Sequence, residues 1–322
     1  MRFRSPSALL LCVLLLVSLA SACGDSGDGG GAGSRDKTKI KVATLPLVVD
    51  APFYIALRHK LFEKEGLQVT PVLVPQSKQA VPGLVRGDID IVYGNDASFL
   101  QGHDSGTLKV RLVAEGTTLS PGFMAVLVMP GSPVRTIADL GGKSVSVHIL
   151  NNVQALTFNA IVKAGKGDPK RIRYREVLLP NMAAALQKGD IDAMHGMEPF
   201  ISDAKRKLGA RVVSDGAAAP VRDIALDGYF TTDRWAGRNP GTARAFQRAM
   251  IKANALAADR REVEAVLPSY TRVDPAIAKI MTMPGYPASI SAARIQRLID
   301  LMVGQGQLRK RLDAASIVVA GS

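Results

Sequence analysis

The chain has 322 residues, enough for two lobes of ordinary domain size and a sizeable core, and 41 Lys and Arg against 28 Asp and Glu give it a formal charge of +13. The basic residues are scattered, without a concentrated stripe, zinc-finger spacing or interleaved aromatics, so nucleic acid is excluded as a partner. Lys170, Arg171, Arg173 and Arg175, and Arg309, Lys310 and Arg311, read as solvated faces.

At the start, Arg2 and Arg4 precede an apolar run over 8–20 and then Ser21, Ala22 and Cys23, the order of an export signal, expected over 1–22. The run is about a dozen residues, short of the ~20 that span a bilayer as a helix, and no later stretch reaches that length. Removing Arg2 and Arg4 takes the charge from +13 to +11, a surface weakly attracted to anionic membranes. Cys12 leaves with the signal, so Cys23 is the only cysteine of the mature chain and no internal disulfide is expected. Residues 19–23, LASAC, resemble the lipobox of bacterial lipoproteins, with Ala20 where a larger aliphatic residue is usual; the resemblance implies lipidation at Cys23. Residues 23–37 are rich in Gly, Ser and Asp, a flexible tether with a reach of roughly 20 Å.

The body begins with an alternating strand over 39–44, a loop over 46–52, and a helix over 53–62 with Phe53, Ala56 and Leu57 on one face. A strand over 69–74, a helix over 78–86 and a strand over 89–93 complete βαβαβ, hence a largely parallel sheet. Further strands are expected over 108–114 and 123–129. A second lobe then repeats the order: strand 144–147, helix 152–164, strand 172–178, helix 182–188, strand 191–194. A strand over 225–231 crosses back. Two helices follow, one with Phe246, Met250, Ala253 and Ala257 on a face and one with Ile295, Leu298, Ile299 and Met302, both stripes read as core.

The two halves also match in text. Residues 84–95 read LVRGDIDIVYGN and 186–197 read LQKGDIDAMHGM, 102 positions on (84 to 186): a helix end, a glycine suited to a left-handed C′ position, and a short strand, built twice. The expected division is lobe 1 over 38–122 and 229–322, discontinuous, and lobe 2 over 123–228, with a hinged cleft between.

Ligands in open parallel sheets lie outside the carboxyl ends of the strands, so the loops leaving the strands hold the candidates. Leu47 and Asp50 sit in the first such loop, Ser77 in the second, and Asn95 and Asp96 in the third; His148 and Asn152, then His195 and Glu198, occupy the equivalent loops of lobe 2. Ser77, Asn95 and Asn152 stand near helix starts, whose free N–H groups can hold acceptor groups, or they simply cap. Asp96 and Glu198 stand at equivalent places and suit either dipole compensation or an amine or ring N–H. His148 and His195 each stand alone in a loop, so no metal site is expected, and no G-x-S-x-G or phosphate-binding loop motif occurs. No cofactor is called for, and the chain carries no catalytic signature.

Several stretches, APFYIALRHKLFEKEGLQV, SPVRTIADLGGKSVSV, ALQKGDIDAMHGMEPF and GYFTTDRWAGRNPGTARAF, resemble the substrate-binding proteins of bacterial ABC importers for nitrate, sulfonate, taurine and thiamine-pyrimidine precursors, in the family's order over almost the whole mature body. The resemblance implies an α/β fold of the periplasmic-binding protein type 2 kind, with a mainly parallel sheet in each lobe and the ligand gripped in the cleft. It also implies a monomer, outside the cytoplasm, that hands its solute to a membrane permease driven by a cytoplasmic ATPase. No arginine lies in the candidate loops, which favours a small organic solute, aliphatic sulfonate or taurine-like, over nitrate; a thiamine-precursor pyrimidine is the alternative. Pyrimidine synthases of similar fold use a cysteine-rich segment that is absent here, and LysR-type regulators carry a DNA-binding segment where this chain has its export signal. A solute-sensing lipoprotein fits the same residues.

Overall fold

The computed structural model describes residues 36–150 and 152–321. The expected export signal, Cys23 and the tether up to residue 35 lie outside them. Lys37 was expected in the tether but belongs to the body: its N–H donates to Asn239 Oδ1 at 2.9 Å and its ammonium to Asp90 at 2.7 Å.

Among the described residues, ten strands form two five-stranded sheets. In chain order they are β1 (Lys39–Thr44), β2 (Gln68–Leu73), β3 (Ile91–Asn95), β4 (Val110–Thr118), β5 (Met124–Val128), β6 (Ser144–Val147), β7 (Arg173–Glu176), β8 (Ala193–Met197), β9 (Arg211–Asp215) and β10 (Ala225–Thr232). The orders are β2-β1-β3-β10-β4 and β7-β6-β8-β5-β9. In each sheet the second strand of the order, β1 or β6, pairs parallel with both neighbours, and the crossing strand, β10 or β5, runs antiparallel to both of its own, so four of the five strands point one way. The sheets are thus mainly parallel, and each takes its odd strand from chain arriving out of the other lobe. The return lies in 216–224, so the expected boundary at 228/229 falls inside β10, whose first four residues belong to the first sheet.

The repeated Gly-Asp-Ile-Asp has a structural cause. Gly87 and Gly189 end their helices at φ +87° and +80°, where a side chain would be strained. The second aspartate of each copy then ties the following strand to its neighbour. Asp90 accepts from the Lys41 N–H at 2.8 Å, the Lys37 ammonium and the Trp235 indole, while Asp192 accepts from the Ser144 N–H and hydroxyl, both at 2.7 Å. Burial pushes Asp192 upward, but these Ser144 bonds outweigh it and hold its carboxyl below the usual range.

Lobe 1 packs on an aromatic core in which Phe99 stacks on Phe230 at 4.4 Å and Phe62 on Phe246 at 5.2 Å. In lobe 2 the alternation of β5 divides the core: Ala125 and Leu127 face Leu179, Met182 and Leu186, whereas Val126 and Val128 face Leu140, Phe158 and Val162. The stripes on Pro240–Leu256 and Ala292–Gly304 are buried as expected. The expected helix over 53–62 is split into Ala51–Arg58 and Leu61–Lys64, with Lys60 left-handed at φ 54° between them. That turn carries Leu61 and Phe62 into the core. Edge strand β9 had no counterpart among the expected elements.

Candidate functional site

The loop leaving β1 is held from below. Asp50 is buried, its Oδ2 accepting the Leu45 N–H at 2.8 Å and its Oδ1 the Tyr229 hydroxyl at 2.7 Å. Tyr93 and Tyr286 donate to the carbonyls of Val49 and Val48, each at 2.9 Å. Burial pushes Asp50 well above the usual carboxylate range, eased by the Tyr229 hydroxyl and the Leu45 N–H and aggravated by Asp227. This bracing presents Leu47 to the cleft and spends Asp50 on the loop itself.

Across the sheet, Gly94 lets the next loop lie close, because a Cβ there would stand 2.7 Å from that of Ser77. Asn95, the residue after it, joins three elements. Its Oδ1 caps helix Asp96–Ser105 through the Ser98 N–H at 3.3 Å and also accepts the Val153 N–H of lobe 2 at 3.4 Å; its Nδ2 donates to the Leu226 carbonyl at 3.2 Å.

On the lobe 2 side, Asn152 caps helix Val153–Ala164 through the N–H groups of Gln154 and Ala155. The Gln154 side chain accepts the His148 N–H at 2.8 Å and donates to the His195 carbonyl at 2.6 Å, fixing two strand-end loops with one amide. Behind the helix, Gln305 donates to the Leu156 carbonyl at 2.8 Å and accepts from Asn159 at 3.2 Å, so the lobes also meet at the back.

These elements enclose two adjoining chambers. The inner, about 60 Å³, is walled by Leu47, Ser77, Asn95 and Asp227 of lobe 1 and by His148, Asn152, Gln154 and Met197 of lobe 2, among others. The outer, about 920 Å³, runs past Leu47, Leu179, Phe200 and Tyr270. Five expected site residues, Leu47, Ser77, Asn95, His148 and Asn152, therefore line the inner chamber.

The other four lie behind its walls. Asp50 braces its loop. Asp96 is 1% exposed at the first turn of its helix, neither oxygen has a partner, and burial, with Asp227 and Glu115 adding, pushes its carboxyl well up. His195 is buried with its ring against Phe158 at 4.8 Å, and burial drops its pKa to about 3, so it is a neutral packing group. Glu198 caps the start of helix Phe200–Leu208 through the Ser202 N–H and hydroxyl and reaches the Thr282 N–H at 3.4 Å. Among the described residues no three His, Cys, Asp or Glu side chains gather in a metal-holding group.

Gln154 lies in an expected strand-end loop but was not singled out, and Asp227 lay outside every expected loop. Asp227 lies opposite Asn95 in the β10–β3 register, and burial lifts its pKa to about 6 despite bonds from Thr117 and Asn95. A lone acid in the apolar run Ala225–Phe230 was the signal that could have found it.

The same fold recurs in known proteins. An Escherichia coli (strain K12) protein named for binding aliphatic sulfonates is 27% identical over 239 residues, 71% of this chain and 68% of its own. The alkanesulfonate-binding protein of Xanthomonas axonopodis pv. citri, bound to MOPS, superposes with a TM-score of 0.72 at 20% identity, covering 88% of this chain and 98% of that one. The periplasmic nitrate-binding protein of Synechocystis PCC 6803 superposes at 0.70 and 15% identity, covering 87% and 84%. These structural likenesses concern the fold. The family model described as NMT1/THI5 like matches residues 49–262, from the loop that presents Leu47, through both lobes and the chambers between them, into the helix Arg260–Val266. With more than half its length matched, the chain belongs to the NMT1/THI5-like family.

Proposed function

We propose that this protein is an extracytoplasmic solute-binding lipoprotein that captures a small organic solute, of the aliphatic sulfonate or taurine class, and delivers it to the permease of an ABC importer. The observation that carries the reading is the chamber walled by both lobes, where Asn95 of one already meets the Val153 N–H of the other. Family membership and the likeness to a protein named for binding aliphatic sulfonates support it. No Lys or Arg is among the described residues lining the inner chamber, which suits an organic solute better than nitrate.

The mechanism is a hinged clamp. Two chain passages join the lobes, and a solute touching both walls stabilises the closed form by its higher affinity for that form. The protein itself performs no hydrolysis; transport energy comes from the importer's ATPase. Cys23 carries the lipid, and the Gly-rich segment after it lets the body work within reach of the permease.

The test is a thermal-shift panel of alkanesulfonates, taurine, aminopyrimidines, nitrate and amino acids, with small-angle scattering of each hit. A true solute at ~100 times its dissociation constant adds about 2.7 kcal/mol of stability and shrinks the radius of gyration. A panel that moves neither quantity rejects the reading.

A further inference from the structure

The two chambers differ in chemistry and share Leu47, Pro75, Gln76 and His148, so one molecule can extend through both. The inner, at about 60 Å³, has room for a head group of a few heavy atoms; the outer, at about 920 Å³, is in the size range of pockets for whole organic ligands.

In the inner chamber the backbone donors at the start of helix Val153–Ala164 are spent. The first N–H of helix Val153–Ala164 goes to Asn95 and the next two to Asn152, while the Gln154 amide donates to the His195 carbonyl. Asp227 lines the chamber with two neutral donors, the Thr117 hydroxyl at 3.3 Å on its Oδ2 and the Asn95 side chain, and no Lys or Arg stands with it among the described lining residues. Asp96 lies behind, 1% exposed and without a partner on either oxygen; its Oδ1 comes so near β10 that a Cβ on Gly228 would stand 2.9 Å away.

The outer chamber is apolar along Leu47, Leu179 and Phe200, with two polar features. Tyr270 is 7% exposed, and its hydroxyl has no partner. Arg272 is the one Arg or Lys among the described residues that line either chamber.

We propose that the solute enters amine first: its protonated amine rests on Asp227 in the inner chamber, its apolar body lies along Leu47 and Tyr270, and any sulfonate it carries is at the far end, toward Arg272. This rests on the reading of the cleft as the solute site and narrows the class to amino-terminated solutes with an apolar spacer. A half-buried carboxylate without a cation is costly, and an ammonium offsets that cost, whereas a sulfonate placed there meets like charge. The burial that lifts Asp227 to about 6 leaves it ionised at pH 7.5, ready for an ammonium. The apolar spacer gains in proportion to the surface it removes from water.

Calorimetric titration of the purified protein at pH 7.5 with hexylammonium, hexane-1-sulfonate, 6-aminohexane-1-sulfonate and taurine tests it. Both hexyl amines should bind at least ~10-fold tighter than hexane-1-sulfonate, and 6-aminohexane-1-sulfonate at least ~10-fold tighter than taurine. Asp227→Asn should cost the amines at least that factor and leave hexane-1-sulfonate no weaker; if the variant does not fold, the wild-type ranking decides alone. Hexane-1-sulfonate matching hexylammonium, or taurine matching the longer amino sulfonate, overturns the proposal. If hexane-1-sulfonate or taurine binds and the hexyl amines do not, amine-first binding fails and solute capture stands. Should none of the four bind, both fail.

Discussion

Asp90 and Asp192 show what a short motif is for. Each carboxylate closes the gap between two parallel strands by accepting a backbone N–H, and Asp90 collects three donors while only 2% of its side chain is exposed. Asp90→Ala leaves those donors unmatched in a buried site and should cost about 3 kcal/mol, read as a lower urea midpoint with unchanged slope. His195 is the opposite case, a neutral ring held in an apolar wall. Its folded pKa of about 3 lies below the ordinary 6.5, so the unfolded chain takes up the proton first as pH falls between those values and stability is lost with acidification. Asp227, raised to about 6, works in the other direction, gaining stability for the fold as pH drops below 6, but it is common to both proteins in a comparison with His195→Leu. Between pH 7 and pH 4 the wild type should lose roughly 3 kcal/mol more than His195→Leu. Parallel losses in urea unfolding would mean that the ring is not held neutral.

At the level of elements, two helix starts bring the walls of the cleft together. Asn95 and Asn152 cap helices that lie in different lobes, and Asn95 adds a bond to the other helix's first N–H. Capping and clamping can be separated. Asn95→Ser keeps an oxygen suited to the cap but loses the bonds to Val153 and to the Leu226 carbonyl, so stability should fall by about 1 kcal/mol while the closed form is disfavoured. The signature is a larger radius of gyration for the folded variant; an unchanged radius argues that closure does not depend on this contact. Much of the element order was legible. β1 and β6 stood out by alternating polar and apolar residues, and β3 and the helix Val153–Ala164 as apolar stretches bounded by turn or cap residues, although β3 and β6 are buried on both faces. The break at Lys60 and edge strand β9 did not, because one is set by what Leu61 and Phe62 pack against and the other by a partner strand far away in sequence.

For the molecule as a whole, two sheets that each borrow a strand from chain leaving the other make the lobes inseparable yet jointed. If Cys23 carries a lipid, Cys23→Ala should release the protein from the membrane fraction into the soluble fraction, measured by fractionating cells expressing each form. Retention of the variant would place the anchor elsewhere.

The sequence by itself determined the duplicated α/β unit, the strand-end loops as the place to look, and Leu47, Ser77, Asn95, His148 and Asn152 as residues that reach the inner chamber, because strand ends and helix caps are local consequences of period and residue type. Only the tertiary structure decided which acid faces the cleft. Asp50, Asp96 and Glu198 sit in the right loops but turn to a backbone brace, a buried helix start and a cap, while Asp227 arrives on a strand that returns from the other lobe and pairs across from Asn95. A side chain's direction at a strand end depends on the register with a neighbour, and here that neighbour is separated from it by the whole of lobe 2.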